Sequence, residues 1–178
     1  MIKSKGDALR VAARILVILI VVILVVTTVA IGIGIGVLLS LGQGRVYELI
    51  GKAGAPDEAF WVVIGGFTLG MIAIALAASF FRVLHRIILS VDHGDPFALA
   101  NAQRLRQMGW LGVAGQLLSI PMGAIVAWLA PYLEKLGEPV DLDLGPDPAA
   151  ILLILILFIL ARVFERGAAM QTDLEGTV

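Results

Sequence analysis

Long hydrophobic runs without a charged residue limit what this chain can fold into. The first run, Ile15–Leu41, extends over 27 residues, which exceeds the roughly 20 that an α-helix needs to cross a hydrocarbon core. A signal-peptide core is only about 7–15 residues long, so we expect this run to be retained as a first membrane span. Hydrophobic residues make up 60% of the chain, against about 45–50% in soluble domains. The sequence therefore predicts an integral membrane protein.

Three further apolar runs predict three further spans. We place the four spans at about residues 15–41, 60–81, 109–130 and 148–166. The predicted fold class is all-α, an integral membrane four-helix bundle that forms one domain over residues 1–178, with a cytoplasmic amphipathic helix between spans 2 and 3. Gly42–Ala59 is expected to be a short loop. Asp147-Pro148 is expected to begin the fourth span, because aspartate can cap free N–H groups and proline at the first helical position loses no hydrogen bond.

The amphipathic helix is predicted at about residues 96–108. Asp95-Pro96 is typical of a helix start, and Phe97, Asn101 and Leu105 follow at helical spacing. Asn101 lies within the apolar arc of this helix, where a polar group normally has a specific hydrogen-bond partner. That partner is either a helix end in this protein or a group on a binding protein, and the sequence leaves both open.

The distribution of basic residues predicts the membrane topology. Ten of the 13 Lys and Arg residues lie in the N-terminal segment, in residues 82–108 or from Arg162 onward. By the positive-inside rule, these segments and both termini are cytoplasmic. The arginines of the middle segment are expected to lie over anionic lipid headgroups; they are Arg82, Arg86, Arg104 and Arg106.

Glycines four residues apart occur in the first two spans. Gly32 and Gly36 lie in the first span, and Gly66 and Gly70 lie in the second. Small residues at this spacing let helix backbones approach closely. We expect packing against another span of the same chain, with a homodimer contact through Gly32 and Gly36 as the alternative.

Chemical sites are scarce in this sequence. The first three spans contain no ionisable residue, and the chain has no cysteine. Asp92 to Asp95, with His85 nearby, resembles a metal or catalytic cluster, but we interpret it as a solvated turn. We therefore predict no catalytic residues, no metal site, no cofactor and no direct binding of nucleic acid, and we do not expect an enzyme. Gln116 and Ser119 are interpreted as interhelical hydrogen-bond partners.

Two motifs resemble those of a known family. The first consists of Gly94-x-Pro96-Phe97, Asn101 and Arg104-Leu105-Arg106, which precede a glycine and a span. The second consists of Val163-Phe164-x-x-Gly167-x-x-Met170-Gln171 and the final Thr177-Val178. Together with the four-span layout, they resemble the bacterial family catalogued as domain of unknown function 2975.

The resemblance implies a membrane partner for a cytoplasmic protein. Members of that family have no established activity, and they are often encoded beside a small helix-turn-helix regulator of the Xre or Cro type. The resemblance implies that this chain is a multi-pass protein of the bacterial cytoplasmic membrane that holds or releases such a regulator. The two motifs would then meet at the inner face, with Phe97 and Leu105 as anchors of a helix-in-groove contact. The alternative function is a transporter or channel subunit for a small uncharged solute.

The candidate residues for partner binding are those that carry the two motifs. They are Gly94, Asp95, Pro96, Phe97, Asn101, Arg104, Leu105, Arg106, Phe164, Gly167 and Gln171.

Overall fold

The chain forms five α-helices over the residues that the structure describes. The structure, a computed structural model, describes residues 3–41, 43–92, 99–137 and 144–175. Within these residues no β-strand is present. The helices are α1 (Lys3–Leu41), α2 (Gln43–Ala53), α3 (Ala59–Asp92), α4 (Leu99–Lys135) and α5 (Pro148–Glu175).

Four of the five helices are long and apolar enough to cross a membrane. These segments are Val17–Gly36, Ala59–Ser90, Leu99–Lys135 and Pro148–Met170. Each of the four predicted spans lies within one of these helices. The structure thus confirms the all-helical class and the four membrane-length helices expected from the hydrophobic runs.

Helix α2 occupies Gln43–Ala53 within the segment Gly42–Ala59, which the sequence predicts to be a loop. Ile50 and Ala53 are buried, and Tyr47 stacks on Phe60 at the beginning of α3 with ring centroids 5.4 Å apart. Helix α2 ends in a Schellman motif, in which Ala55 N donates to Ile50 O at 3.0 Å and Gly54 has a φ of 65°. The loop prediction is wrong because packing against α3 stabilises a segment whose glycines and charges are typical of a loop.

Helix α4 is continuous where the sequence predicts two elements. The amphipathic segment and the third span are joined without a break at Gly109, and the helix also continues through Pro121 and Pro131. Its 37 residues correspond to about 55 Å at 1.5 Å per residue. A hydrocarbon core is only about 30 Å thick, so part of α4 must extend beyond it when the helix crosses a membrane.

Helix α5 begins as the sequence predicts. Its first residue is Pro148, and the Asp147 carboxylate accepts a hydrogen bond of 2.9 Å from Ala149 N. Asp147 O also accepts a bond of 3.1 Å from Ile151 N, which closes the first turn. The predicted cap is confirmed, because a free N–H group of the first turn is satisfied by the aspartate.

The chain divides into two compact units. The first unit comprises Met1–Leu24, Leu76–Ala114 and Asp147–Val178, and the second comprises Val25–Ala75 and Gly115–Pro146. The second unit contains a small core of Ile50, Ala59 and Phe60.

The glycine pairs of the first two spans differ in their surroundings within the second unit. A Cβ atom at Gly66 would lie 3.4 Å from Ile125 Cγ2, which is an ordinary contact. At Gly32, Gly36 and Gly70, a Cβ atom would meet no described atom within 4 Å. Among the described residues, a side chain of the same chain therefore lies beside Gly66, and none lies beside the other three glycines.

Candidate functional site

The first unit has an apolar core that joins α3, α4 and α5. Its buried residues are Val83, Leu105, Met108, Leu157 and Ala161. Partly buried apolar side chains from all three helices surround this core, among them Ile87, Leu111 and Phe164. The core fixes the first turns of α4 beside the last turns of α3 and the middle of α5.

Asn101 is the one fully buried polar side chain among the described residues, with an exposed fraction of 0%. Its Oδ1 atom accepts a hydrogen bond of 2.8 Å from the Ser90 hydroxyl and another of 2.8 Å from Arg104 Nη1. The Ser90 oxygen also lies 2.7 Å from Ile87 O. The partner that the sequence requires for Asn101 is thus found in this protein, at the end of α3.

Arg104 connects the same two helices a second time. Its Nη1 atom donates to Arg86 O at 3.2 Å, in addition to its bond to Asn101. A buried amide with a charged donor forms a stronger hydrogen bond than two neutral groups would form. We refer to Ser90, Asn101, Arg104 and Arg86 O as the polar clasp.

The two motif-bearing helices are joined by an ion pair. Arg106 Nη2 on α4 lies 3.0 Å from Glu165 Oε2 on α5, and the two side chains are 56% and 48% exposed. Phe164, the neighbour of Glu165, packs against the core that contains Leu105. The described parts of the two motifs are therefore in contact.

Helices α4 and α5 approach each other closely at two glycines. A Cβ atom at Gly112 would lie 2.6 Å from Ile154 Cγ1, and one at Gly109 would lie 2.9 Å from the Phe158 ring. Both distances are shorter than real Cβ contacts, so a larger residue at either position would require Ile154 or Phe158 to shift. Trp110 packs edge-to-face on Phe158, with ring centroids 5.6 Å apart.

A groove lies between α4 and α5, in the part of these helices that the sequence predicts to be near the cytoplasm. Its volume is about 510 Å³. It is lined by Arg106, Phe158, Arg162, Glu165, Arg166 and Ala169, and we call it the arginine groove. Three guanidinium groups and one carboxylate face this space, together with an aromatic ring.

A second groove in the first unit lies between α1 and α3. It is lined by Val17, Ile18, Val21, Val22, Arg82, His85 and Arg86. The Nδ1 atom of His85 is buried and has no hydrogen-bond partner among the described residues. Both grooves contain cationic side chains beside apolar ones.

The residues predicted to bind a partner differ in their exposure in the structure, and some of them are not described. Leu105 is 9% exposed and belongs to the core. The prediction that Leu105 anchors a partner is therefore wrong, because other residues of this chain already cover its side chain. Arg106 is exposed, and Gly167 is half-buried on α5. The structure does not describe residues 93–98 or the Gln171 side chain, so the predictions for Gly94, Asp95, Pro96 and Phe97, including the helix start, lie outside the described residues.

The predictions for Ser119 and for the cluster from Asp92 to Asp95 remain to be compared with the structure. The Ser119 hydroxyl donates to Gln116 O at 2.7 Å within α4, so its hydrogen bond is local to the helix. Most of the cluster from Asp92 to Asp95 also falls outside the described residues.

Several contributors to this region carry no recognisable signal in the sequence. Ser90 near the end of α3 and Glu165 within α5 are ordinary polar residues in the sequence, and their partners are 11 and 59 residues away. Gly109 and Gly112 have a spacing of three, which suits one helix face. That spacing is the one signal that could have indicated the close approach to α5.

Comparison with known proteins adds one relationship. Neither a curated protein nor a solved structure matches the chain. A family described as "Protein of unknown function (DUF2975)" matches residues 49–178. This match covers α3, α4, α5 and the end of α2, and with it every residue of the polar clasp and the arginine groove. The chain belongs to the DUF2975 family.

Proposed function

We propose that this protein docks a small cytoplasmic helix-turn-helix regulator of the Xre or Cro type at the bacterial inner membrane. In this proposal it works by interaction, with no catalytic step and no contact of its own with nucleic acid. The observation that carries the proposal is the contact between Arg106 and Glu165 at 3.0 Å. It supports docking because it brings the two family motifs together on one exposed surface.

The proposed docking surface is the exposed side of the first turns of α4. Gln103, Arg106 and Gln107 are exposed, whereas Asn101 and Leu105 on the other side of the helix are buried. Residues three and four positions apart share a helix face, so the two glutamines and Arg106 present one polar surface. The polar clasp holds the inner side of the same turns, which supports a preformed surface with a low entropic cost of binding.

The proposal requires a defined topology. We propose that the four membrane-length helices form a bundle with both termini and the first turns of α4 on the cytoplasmic side. The excess of Lys and Arg in these segments supports this orientation under the positive-inside rule. A cytoplasmic regulator would then reach Gln103 and Gln107 without crossing the membrane.

Co-purification tests the proposed docking. The tagged protein is expressed with the helix-turn-helix regulator encoded beside its gene, solubilised in mild detergent and recovered, and the bound regulator is quantified. We expect stoichiometric recovery with the unaltered chain. The double variant Gln103→Glu/Gln107→Glu should lose most of it, because two new charges would enter the contact.

A matched variant separates docking from a general effect of charge. Gly51→Glu/Leu136→Glu adds the same two charges at exposed positions of the second unit, and it should retain the regulator. Equal recovery with all three proteins, or no regulator bound to any of them, contradicts the proposal. The transport alternative, which involves Gln116 and Ser119, stays a prediction for a solute-flux assay in proteoliposomes.

A further inference from the structure

We propose that the arginine groove binds the phosphate headgroup of an anionic phospholipid. This site differs from the general basic surface predicted around Arg82 and Arg104, because it is a defined groove between α4 and α5. It shares Arg106 with the proposed docking surface, but Gln103 and Gln107 of that surface do not line the groove, and Arg162 and Arg166 of the groove do not belong to that surface. The two proposals can therefore fail independently.

The positive charges that line the groove exceed the negative charge that the described residues place there. Arg106 is paired with the one carboxylate of the lining, Glu165, at 3.0 Å. Arg162 and Arg166 are exposed, and neither forms an ion pair with a described residue. They lie one helical turn apart on the same face of α5. Guanidinium groups present paired donors that match phosphate oxygens, so two such groups favour a phosphate between them.

The position of Arg162 along α5 favours a lipid source for that phosphate. Residues 148–161 carry no charge, and their 14 residues correspond to about 21 Å of helix at 1.5 Å per residue. This length is shorter than a hydrocarbon core of about 30 Å. When α5 spans the membrane, the backbone of Arg162 therefore lies inside the edge of the hydrocarbon core, and its long side chain extends towards the phosphates of the headgroups.

The apolar part of the groove also suits a lipid better than a free anion. The Phe158 ring lines the groove, and Trp110 packs against that ring while remaining 62% exposed. Ile159, on the neighbouring surface of α5, is 63% exposed. Aromatic residues of this kind are common at the level of the headgroups. A lipid would place its phosphate on Arg162 and Arg166 and its glycerol and upper acyl chain on these apolar side chains.

Fluorescence quenching at Trp110 tests the site directly. In a Trp61→Phe/Trp128→Phe background, Trp110 is the one remaining tryptophan of the chain. The full chain is reconstituted in phosphatidylcholine vesicles that contain a minor fraction of either brominated phosphatidylglycerol or brominated phosphatidylcholine. From the attraction of two arginines for anionic lipid, we expect phosphatidylglycerol to be enriched about fivefold or more beside Trp110.

Two double variants distinguish the groove from the overall charge. Arg162→Gln/Arg166→Gln should abolish the preference for brominated phosphatidylglycerol. Arg82→Gln/Arg86→Gln removes the same charge from residues outside the groove and should retain the preference. An equal loss in both double variants, or no preference in the unaltered groove, overturns the proposal.

Two additional measurements keep the test decisive. If the Trp61→Phe/Trp128→Phe variant fails to fold, native mass spectrometry of the chain with all three tryptophans replaces the quenching experiment. The unaltered protein should retain bound phosphatidylglycerol, and Arg162→Gln/Arg166→Gln should lose it. Thermal unfolding in phosphatidylcholine nanodiscs tests the source of the phosphate. Inorganic phosphate that stabilises the protein as much as added phosphatidylglycerol does would identify a soluble anion as the occupant and overturn the proposal.

Discussion

The Ser90 hydroxyl donates a hydrogen bond of 2.8 Å to the side-chain oxygen of Asn101. This bond joins the last turn of α3 to the first turn of α4, and Arg104 donates to the same oxygen. Because Asn101 is completely buried, water cannot replace a partner that is lost. The polar clasp therefore couples the ends of two helices whose connecting residues are outside the described part of the chain.

Asn101→Ala is expected to lower the free energy of unfolding by about 1–3 kcal/mol, because it removes the buried acceptor that Ser90 and the charged Arg104 share. Ser90→Ala should cost less, about 0.5–1.5 kcal/mol, since Arg104 still donates to Asn101. Unfolding of the detergent-solubilised chain, titrated with SDS, measures both values. Gln103→Ala, at an exposed neighbouring position, is the control and should change stability by less than about 0.5 kcal/mol. Equal effects of the three variants would show that the polar clasp does not stabilise the chain.

Gly112→Ala is expected to destabilise the contact between α4 and α5. The new Cβ atom would lie 2.6 Å from Ile154 Cγ1, and isoleucine is stiff at this carbon. Overpacking of this kind costs about 1–3 kcal/mol, which exceeds the gain of up to about 1 kcal/mol from replacing glycine by alanine in a helix. Thermal unfolding in detergent gives the sign of the effect.

Gly115→Ala is the matched control for this prediction. A Cβ atom at Gly115 would meet no described atom within 4 Å, so this variant should be neutral or slightly stabilising. The double variant Gly112→Ala/Ile154→Ala removes the clashing atom and should lose less stability than the sum of the single variants. Strict additivity would contradict a direct contact between the two positions.

Local signals explain which parts of the fold are predictable from the sequence. The helix start at Asp147-Pro148 is predictable because capping involves only residues within one turn. Helix α2 is not predictable in this way, because its glycines and charges favour a loop and its stability depends on packing of Ile50 against the beginning of α3. Gly109 also suggests a helix boundary in the sequence, yet α4 continues through it, and the glycine instead leaves room for the Phe158 ring of α5.

The candidate site illustrates the same limit. The helical spacing of Asn101 and Leu105 places both on an apolar arc and predicts that each needs a covering surface. It does not reveal what covers them, because Ser90 is on another helix and Leu157 is distant in the sequence. The Leu105 anchor is wrong for that reason: hydrophobic periodicity identifies a buried face but does not identify the surface that buries it.

Arg106→Gln is expected to change stability little. The ion pair with Glu165 is short, at 3.0 Å, but both side chains are about half exposed, and pairs in such positions contribute about 0–1 kcal/mol. Thermal unfolding at about 0.15 M salt should therefore show a small shift that vanishes at high salt. A loss as large as that of Asn101→Ala would mean that the pair is more strongly shielded from water than its exposure indicates.

The proposed topology predicts which positions react from outside the cell. The chain has no cysteine, so single-cysteine variants give unambiguous labelling. Cysteines introduced at Gln103 and Arg166 should react with a membrane-impermeant maleimide only after the cells are opened. A cysteine at Lys52 or Glu134 should react in intact cells. The reverse pattern would contradict the positive-inside orientation and, with it, docking of a cytoplasmic regulator at Gln103.

The glycines of α1 predict an effect on association between copies of the chain. Gly32 and Gly36 have no described neighbour where a Cβ atom would lie, so Gly36→Leu should leave the stability of the monomer unchanged. If two copies associate through this face, the same substitution should lower the cross-linked dimer fraction in vesicles, because leucine prevents close approach of the backbones. Gly34→Leu is the matched control, since Gly34 has the same open surroundings but lies on another side of the helix from Gly32 and Gly36. Equal dimer fractions for the two variants would exclude the Gly32 and Gly36 face as the contact between copies.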